Sequence, residues 1–363
     1  MVKAKELNFF ALIIALIAIT IWLLLASKGL GLTTDAKAYL YAAQSFREKG
    51  EFLTPQGYYT NWTPLLPFLL SFIPAKVLFF FTLLLNLFLL YVLIHKIISF
   101  RFWQTICYLH ASFSIVFMMI HFFVWSEALF LALLLAMIIL FLQLLEKETS
   151  KIFYALIVLS NLLCLQRMAG IFFVAAFALL IAYYFSWGKA FRYGILSSLG
   201  LGLWFVRNSF LQDKPDFLEN IWAVSMYDSL LGYAESTIEI FFSTIGLPEW
   251  LLVIALGVLL LGLGLYARLE RNLFVLYFNF VFYLAIMLAL SMNIEHESDR
   301  YLSPVMPLIM IIFWKRLSVM QKEKEKIRSR FRYVLLFFII AYNLLRTYFY
   351  ISQWYNFPPL EMH

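Results

Sequence analysis

Long apolar blocks, separated by short polar segments, run along the whole chain. The blocks approach the length that a helix needs to cross a bilayer, and they lack the alternation typical of a membrane β-barrel. The pattern predicts an all-α polytopic membrane protein, a single transmembrane domain over residues 1–363 with about eleven transmembrane helices. The predicted spans are 7–27, 77–97, 104–120, 126–145, 152–166, 169–187, 194–206, 248–267, 273–291, 301–317 and 333–350.

The composition excludes a soluble protein. Of the 363 residues, 64% are hydrophobic and only 13% are charged, whereas a soluble domain is typically about 45–50% apolar and about 25% charged. The same figures exclude an intrinsically disordered chain, which is poor in apolar residues. Cys107 and Cys164 lie inside apolar blocks, so we expect small buried side chains and neither a disulfide framework nor a metal knuckle.

The distribution of basic residues predicts the orientation of the chain. With the N-terminus inside, the inner loops hold 18 of the 28 lysines and arginines but only 6 of the 21 acids, as the positive-inside rule requires. The first block is longer than a signal-peptide core, so we expect it to be retained. We expect an integral, multi-pass protein with a cytoplasmic N-terminus, an outward C-terminus and an outward-facing active site, in a bacterial or archaeal plasma membrane. Its basic cytoplasmic loop 318–332 suits anionic lipid headgroups better than nucleic acid.

Most of the polar chemistry falls in the outward loops, above all in 28–76 and 207–247. In the first of these loops, apolar residues at helical spacing up to Gly50 predict an amphipathic helix that lies in the membrane interface. Thr34 is the expected N-cap and Gly50 the C-terminal stop. Asp35 lies in the first turn, where its carboxylate either complements the helix dipole only or takes part in a reaction.

An aromatic stretch follows from Tyr58 to Pro67 in the same loop. Pro64 and Pro67 break the approach to the second span. The aromatic side chains, including Tyr59 and Trp62, either anchor the loop at the interface or line a binding site above the membrane.

Short motifs in a fixed order resemble those of membrane glycosyltransferases of the GT-C superfamily, in particular the branch of protein O-mannosyltransferases and lipid A aminoarabinose transferases. All of them fall at the predicted outer face. They are Asp35 with its helix and the Pro-Leu-Leu-Pro stretch, Ser126-Glu127, Gln166-Arg167, Trp204 with Arg207-Asn208, and Arg300-Tyr301 followed by Pro304 and Pro307. The resemblance implies a GT-C-like fold and transfer of a sugar from a polyprenyl-phosphate donor to a lipid, glycan or protein acceptor.

Such a reaction needs a base for the acceptor proton and cations for the departing phosphate. An interfacial carboxylate suits the first task, and arginines suit the second without a metal. Asp35 is the expected general base, Arg207 and Arg300 are the expected phosphate ligands, and Arg167 and Tyr301 are further donor-binding candidates. Each arginine also has a plainer interpretation: Arg167 and Arg207 as interfacial cations, and Arg300 as a partner of neighbouring acids.

Further residues are candidates for contact with the acceptor or for positioning the reacting groups: Glu127, Asn208, Tyr59, Trp62 and His296. Glu127 opens an apolar span, where a carboxylate is costly unless it is paired, and pairing with Arg167 is the plainer alternative. No His, Cys and Asp cluster has metal-ligand spacing, so no cofactor is expected, although the sequence leaves a divalent metal open.

Two other classes of function remain as alternatives. A polymerase or ligase of lipid-linked glycans is also polytopic, but it usually lacks an acid directly after the first span followed by an interfacial helix. A non-enzymatic lipid or sugar transporter predicts polar residues at the membrane midplane, whereas the predicted spans hold only a few uncharged ones, such as Asn86 and Asn161.

Overall fold

The structure is a computed structural model that describes residues 9–211, 225–290, 297–320 and 326–356. Helices dominate the described residues, and one short antiparallel hairpin lies in the first long loop. The helices and strands are α1 (Phe9–Ala26), α2 (Thr34–Lys49), β1 (Leu53–Thr54), β2 (Gly57–Tyr58), α3 (Leu65–Phe72), α4 (Ala75–Ile97), α5 (Arg101–Ser112), α6 (Ile115–Phe122), α7 (Glu127–Glu146), α8 (Ser150–Gln166), α9 (Gly170–Tyr184), α10 (Trp187–Leu211), α11 (Met226–Glu239), α12 (Glu249–Ala267), α13 (Arg271–Ala289), α14 (Ser298–Leu302), α15 (Met306–Met320) and α16 (Lys326–Asn356).

Six described helices are long and apolar enough to cross a membrane: α1, α4, α7, α12, α13 and the part of α16 from Tyr333 to Tyr355. The pair α5 and α6, bent by 49°, adds a seventh if it forms one span. The prediction of an integral, helical membrane protein is confirmed, whereas eleven crossings are not.

Two predicted spans are interrupted in the structure. The span 104–120 breaks between α5 and α6, where the Ser114 hydroxyl accepts a hydrogen bond from the Phe117 amide at 3.3 Å and caps the second helix. The span 301–317 instead begins in α14 and restarts in α15. Pro304 lies in the break, where it has no amide hydrogen to continue a helical ladder.

Helix α7 is the most buried of the candidate spans. Within the described structure, 67% of the residues in its 18-residue apolar stretch are buried, compared with 22% of those in α12. It packs against α4 and α8, so the residue that opens it, Glu127, enters the bundle interior.

The predicted helix after the first span is confirmed as α2, although its N-cap is Thr33 and not Thr34. The Thr33 side chain accepts from the Ala36 amide at 3.4 Å, and Gly50 ends the helix in the left-handed conformation at φ 74°. The packing of α2 on α3 is fixed by Arg47, whose Nε donates to the Ser71 carbonyl at 2.7 Å. Whether α2 lies in a membrane interface stays a prediction.

A backbone bridge joins the segment before Asp35 to the segment before Glu127. The Gly31 amide donates to the Phe122 carbonyl, and the Val124 amide donates to the Gly31 carbonyl, both at 3.0 Å. A Cβ at Gly31 would lie 2.4 Å from the Phe123 ring, so only glycine allows this approach. The bridge thereby holds the starts of α2 and α7 side by side.

Candidate active site

Five charged side chains from four parts of the chain meet in the structure, and we call them the charge cluster: Asp35, Glu127, Arg167, Glu297 and Arg300. Arg300 of α14 is their centre. Its Nε donates to Glu127 Oε1 at 2.5 Å, its Nη2 to Asp35 Oδ2 at 2.6 Å, and its Nη1 to Glu297 Oε2 at 3.2 Å. Residues 265 positions apart in the sequence are thus joined by one guanidinium.

Glu127 is the buried anchor of the charge cluster. Its carboxylate pairs with Arg167, which lies in the turn between α8 and α9, as well as with Arg300. The chain passes so close to itself in this turn that a Cβ at Gly170 would lie 2.7 Å from the Cys164 backbone. Glu127 is completely buried, so two arginines are needed to offset the cost of removing its charge from water.

Asp35 is the more open carboxylate of the pair that holds Arg300. Its side chain is 26% exposed, compared with 0% for Glu127. Only one carboxylate oxygen of Asp35, Oδ2, accepts a hydrogen bond from a described residue. Among the described residues, Asp35 is therefore held through one oxygen while the other accepts no hydrogen bond, an arrangement that is compatible with a general base.

The electrostatics of the charge cluster follow from burial and from opposite charges at close range. Burial alone would lower the pKa of the Arg300 guanidinium, but Glu127 and Asp35 outweigh this effect and raise that pKa above its usual range. Burial raises the pKa of the Tyr39 phenol, and Asp35 and Glu127 raise it further. Arg300 therefore stays charged, and Tyr39 stays protonated.

Trp125 packs against the charge cluster, a contact that the sequence analysis did not predict. The Arg300 guanidinium lies 4.6 Å from the Trp125 ring centroid, a favourable cation–π contact. The indole Nε1 donates to Thr33 Oγ1 at 3.0 Å, directly at the N-cap of the helix that carries Asp35. The sequence offered one indication of this role, because Trp125 directly precedes the Ser126-Glu127 motif.

A second network connects α14 to distant helices. Asp299, beside Arg300 in the sequence, lies 3.5 Å from Arg346 of α16. The same arginine binds Glu239, at the end of α11, at 2.5 Å. Two consecutive residues of this short helix are thus bound to different parts of the bundle.

The other predicted motif residues form a second group around the aromatic loop, which we define as residues 58–62. The C-terminal end of α10 binds this loop through three side chains. Trp204 Nε1 donates to the Trp62 carbonyl at 3.1 Å, Arg207 Nη1 to the Tyr59 carbonyl at 3.2 Å, and Asn208 Nδ2 to the Thr60 carbonyl at 3.0 Å.

Arg207 differs from Arg300 in its partners. Its guanidinium lies 4.4 Å from the Trp204 ring centroid and donates to Asn208 Oδ1 at 2.8 Å. No carboxylate of the described residues lies within ion-pair distance of it. Arg207 is therefore a cation whose charge is not neutralised by these residues.

Tyr39 connects the two groups, a role that the sequence analysis did not assign to it. It lies one turn after Asp35 on α2, and its ring meets the Trp62 ring edge-to-face at 6.2 Å. Trp62 in turn stacks on Tyr59 at 5.9 Å. The aromatic contacts thereby extend from Asp35 to the loop that Arg207 binds.

The structure thus brings most predicted site residues into two adjoining groups. Asp35, Glu127, Arg167 and Arg300 form one group, with the Tyr301 ring 5.7 Å from the Arg167 guanidinium. Two of the plainer alternatives correspond to contacts in the structure: Glu127 pairs with Arg167, and Arg300 pairs with the neighbouring Glu297. The second group holds Tyr59, Trp62, Arg207 and Asn208. His296 lies outside the described residues.

The described residues contain no group of three His, Cys, Asp or Glu side chains placed to hold a metal ion. The carboxylates of the charge cluster are bound by arginines instead.

No family model and no curated protein matches the chain. A solved structure does: the fold is similar to that of the Archaeoglobus fulgidus oligosaccharyltransferase, crystallised with zinc and sulfate, at a TM-score of 0.57 and 13% sequence identity. The match covers 94% of this chain but 52% of the archaeal one, so the chain spans about half the length of that enzyme. The similarity extends to the fold alone; membership of the GT-C superfamily, and of one branch within it, stays a prediction.

Proposed function

We propose that the protein is a glycosyltransferase that moves a sugar from a polyprenyl-phosphate donor to an acceptor at the outer face of the membrane. One observation carries the proposal: a partly open carboxylate, Asp35, is oriented by a buried arginine and adjoins a group whose Arg207 has no carboxylate partner among the described residues. The oligosaccharyltransferase with the same fold supports this class of reaction.

In the proposed reaction, the acceptor hydroxyl attacks the anomeric carbon of the donor sugar. A bond forms between the acceptor oxygen and this carbon, and the bond between the carbon and the phosphate oxygen breaks. Asp35 takes the acceptor proton, and the electron pair of the broken bond leaves on the polyprenyl phosphate. The base and a cation for the phosphate must therefore lie on opposite sides of the sugar.

The contacts divide the work between the two arginines that were expected to bind phosphate. Arg300 donates to three carboxylates, so its main role is to orient Asp35, and only its remaining N–H groups are available to the donor. Within the described part of the chain, Arg207 donates to neutral acceptors, the Tyr59 carbonyl and Asn208 Oδ1. We therefore assign the principal phosphate contact to Arg207, with the aromatic loop against the sugar.

Substitution of Arg207 tests this assignment. Lysine retains the charge but lacks the planar fork of donors, so we expect turnover to fall in the order wild type, Arg207→Lys, Arg207→Ala. The alanine variant should lose about 10²–10³-fold, the range for removing one group that stabilises developing charge. Arg192→Ala at the other end of α10 is the matched control, because Arg192 is exposed and its polar contact among the described residues is with Tyr154.

The measurement is release of polyprenyl phosphate from a panel of polyprenyl-phosphate sugars, with the protein in nanodiscs and candidate acceptors added. Much of the loss should appear in kcat, because the phosphate gains charge as it leaves. If Arg207→Ala turns donor over as wild type does, the phosphate site lies elsewhere. If the wild-type protein neither binds nor consumes any donor of the panel, the proposed function is wrong.

The outer location of the site can be tested separately by thiol labelling. Cysteines introduced at Glu51 and at Tyr355, both exposed, should react with an impermeant reagent in intact cells, whereas one at Lys147 should not. The native cysteines do not interfere, since both are buried. Labelling of Lys147→Cys in intact cells would contradict the orientation with the N-terminus inside.

A further inference from the structure

Two cavities lie one above the other between α1 and α4, both of which are candidate membrane spans. The larger, about 410 Å³, lies at the end of α1 that precedes α2, and residues such as Trp22, Ala26 and Val77 line it. The smaller, about 170 Å³, lies farther along the same helices, beside Ala15 and Leu84. Together they form what we call the α1/α4 groove.

The walls of this groove are almost wholly apolar, but one end carries a positive charge. Lys76, in the first turn of α4, lines the larger cavity and is exposed. No described carboxylate lies within ion-pair distance of its ammonium group. An apolar trough with an unpaired cation at its end is complementary to a molecule with an acyl chain and an anionic head.

The groove is separate from the candidate active site. None of the residues lining its two cavities belongs to the charge cluster or to the aromatic loop. The arginines that we assign to donor binding lie on α10, on α14 and in the turn between α8 and α9. A donor lipid seated in the α1/α4 groove would have its phosphate at Lys76 and not at those arginines.

We propose that the α1/α4 groove binds an anionic glycerophospholipid, with one acyl chain along the two cavities and the headgroup phosphate at the Lys76 ammonium. A zwitterionic lipid such as phosphatidylcholine would fill the same trough, but its choline offsets the phosphate charge and so weakens the attraction to the lysine. Bound lipid would also cover part of α1, because the described residues bury only 33% of the 18 residues of this helix.

Native mass spectrometry of the full chain tests the proposal, after reconstitution in equal parts of phosphatidylglycerol and phosphatidylcholine. Wild type should retain one phosphatidylglycerol in preference to phosphatidylcholine. In Lys76→Gln, the ratio of retained phosphatidylglycerol to phosphatidylcholine should fall about five-fold, which is the effect of one cation at a membrane surface. Val77→Trp, at an exposed position in the groove wall, should reduce retention of both lipids. Lys49→Gln, an exposed lysine at the end of α2, is the matched control and should behave as wild type.

Several outcomes would overturn the proposal. One such outcome is that Lys76→Gln retains phosphatidylglycerol as well as wild type does. Another is that Lys49→Gln loses as much phosphatidylglycerol as Lys76→Gln, because the preference would then come from diffuse surface charge. Unchanged retention by Val77→Trp would place the lipid elsewhere. If equimolar polyprenyl phosphate displaced phosphatidylglycerol from wild type but not from Lys76→Gln, the groove would be a donor site instead. Equal thermal unfolding midpoints for all variants establish that each comparison concerns folded protein.

Discussion

Asp35→Asn should abolish most turnover while leaving the protein folded and able to bind donor. The amide has nearly the same volume as the carboxylate and can still accept a hydrogen bond from Arg300 Nη2, but it cannot take the acceptor proton. Removal of a general base typically costs about 10²–10⁴-fold in rate. The measurement is polyprenyl phosphate release at saturating donor, beside donor affinity for the same preparation.

Glu48→Gln is the matched control for this prediction, because it makes the same chemical change on the same helix. Glu48 is exposed, and its partner among the described residues is Gln44, one turn away, whose Nε2 donates to Glu48 Oε1 at 2.8 Å. We expect its turnover to equal that of wild type. An Asp35→Asn protein that works within a few-fold of wild type would remove Asp35 from the reaction, whatever the role of the rest of the charge cluster.

Glu127→Gln should be the most destabilising conservative substitution at the site. Glu127 is fully buried between Arg167 and Arg300, and its loss leaves two buried guanidinium groups short of one negative charge. Breaking a buried ion pair in this way costs about 3–5 kcal/mol. The free energy of unfolding, from titration with a denaturing detergent, should fall by an amount of that order.

The same helix provides the control. Glu146, at the other end of α7, pairs with Lys96 at 2.7 Å, but its side chain is 52% exposed. Glu146→Gln should therefore change the free energy of unfolding by no more than about 1 kcal/mol, as is usual for surface ion pairs. Equal effects of the two substitutions would mean that water reaches Glu127 and that it is not the buried anchor of the site.

Sequence reasoning predicted the elements of the site better than the contacts between them. The apolar blocks indicated the helices, and the amphipathic pattern after the first span predicted α2 with its stop at Gly50. The two interrupted spans were missed because the break signals, Ser114 and Pro304, lie inside otherwise apolar sequence. A local hydropathy pattern does not reveal that a single serine hydroxyl caps a new helix.

The partners of each charge could not be predicted, because they depend on tertiary packing. The sequence nominated Arg207 and Arg300 for the same task, yet their environments differ: one donates to neutral oxygens, the other to three carboxylates. Trp125 and Tyr39 resembled ordinary core aromatics for the same reason. Only the fold shows that Trp125 lies against Arg300 and that Tyr39 joins Asp35 to the aromatic loop.

The short helix α14 has a mechanical consequence. Asp299 is bound to Arg346, which also holds the end of α11, while the next residue, Arg300, holds Asp35. These five residues form only about one and a half helical turns. A continuous series of ion pairs thus connects the end of α11 with the guanidinium that orients Asp35, although α11 does not contact Asp35 through any of these pairs.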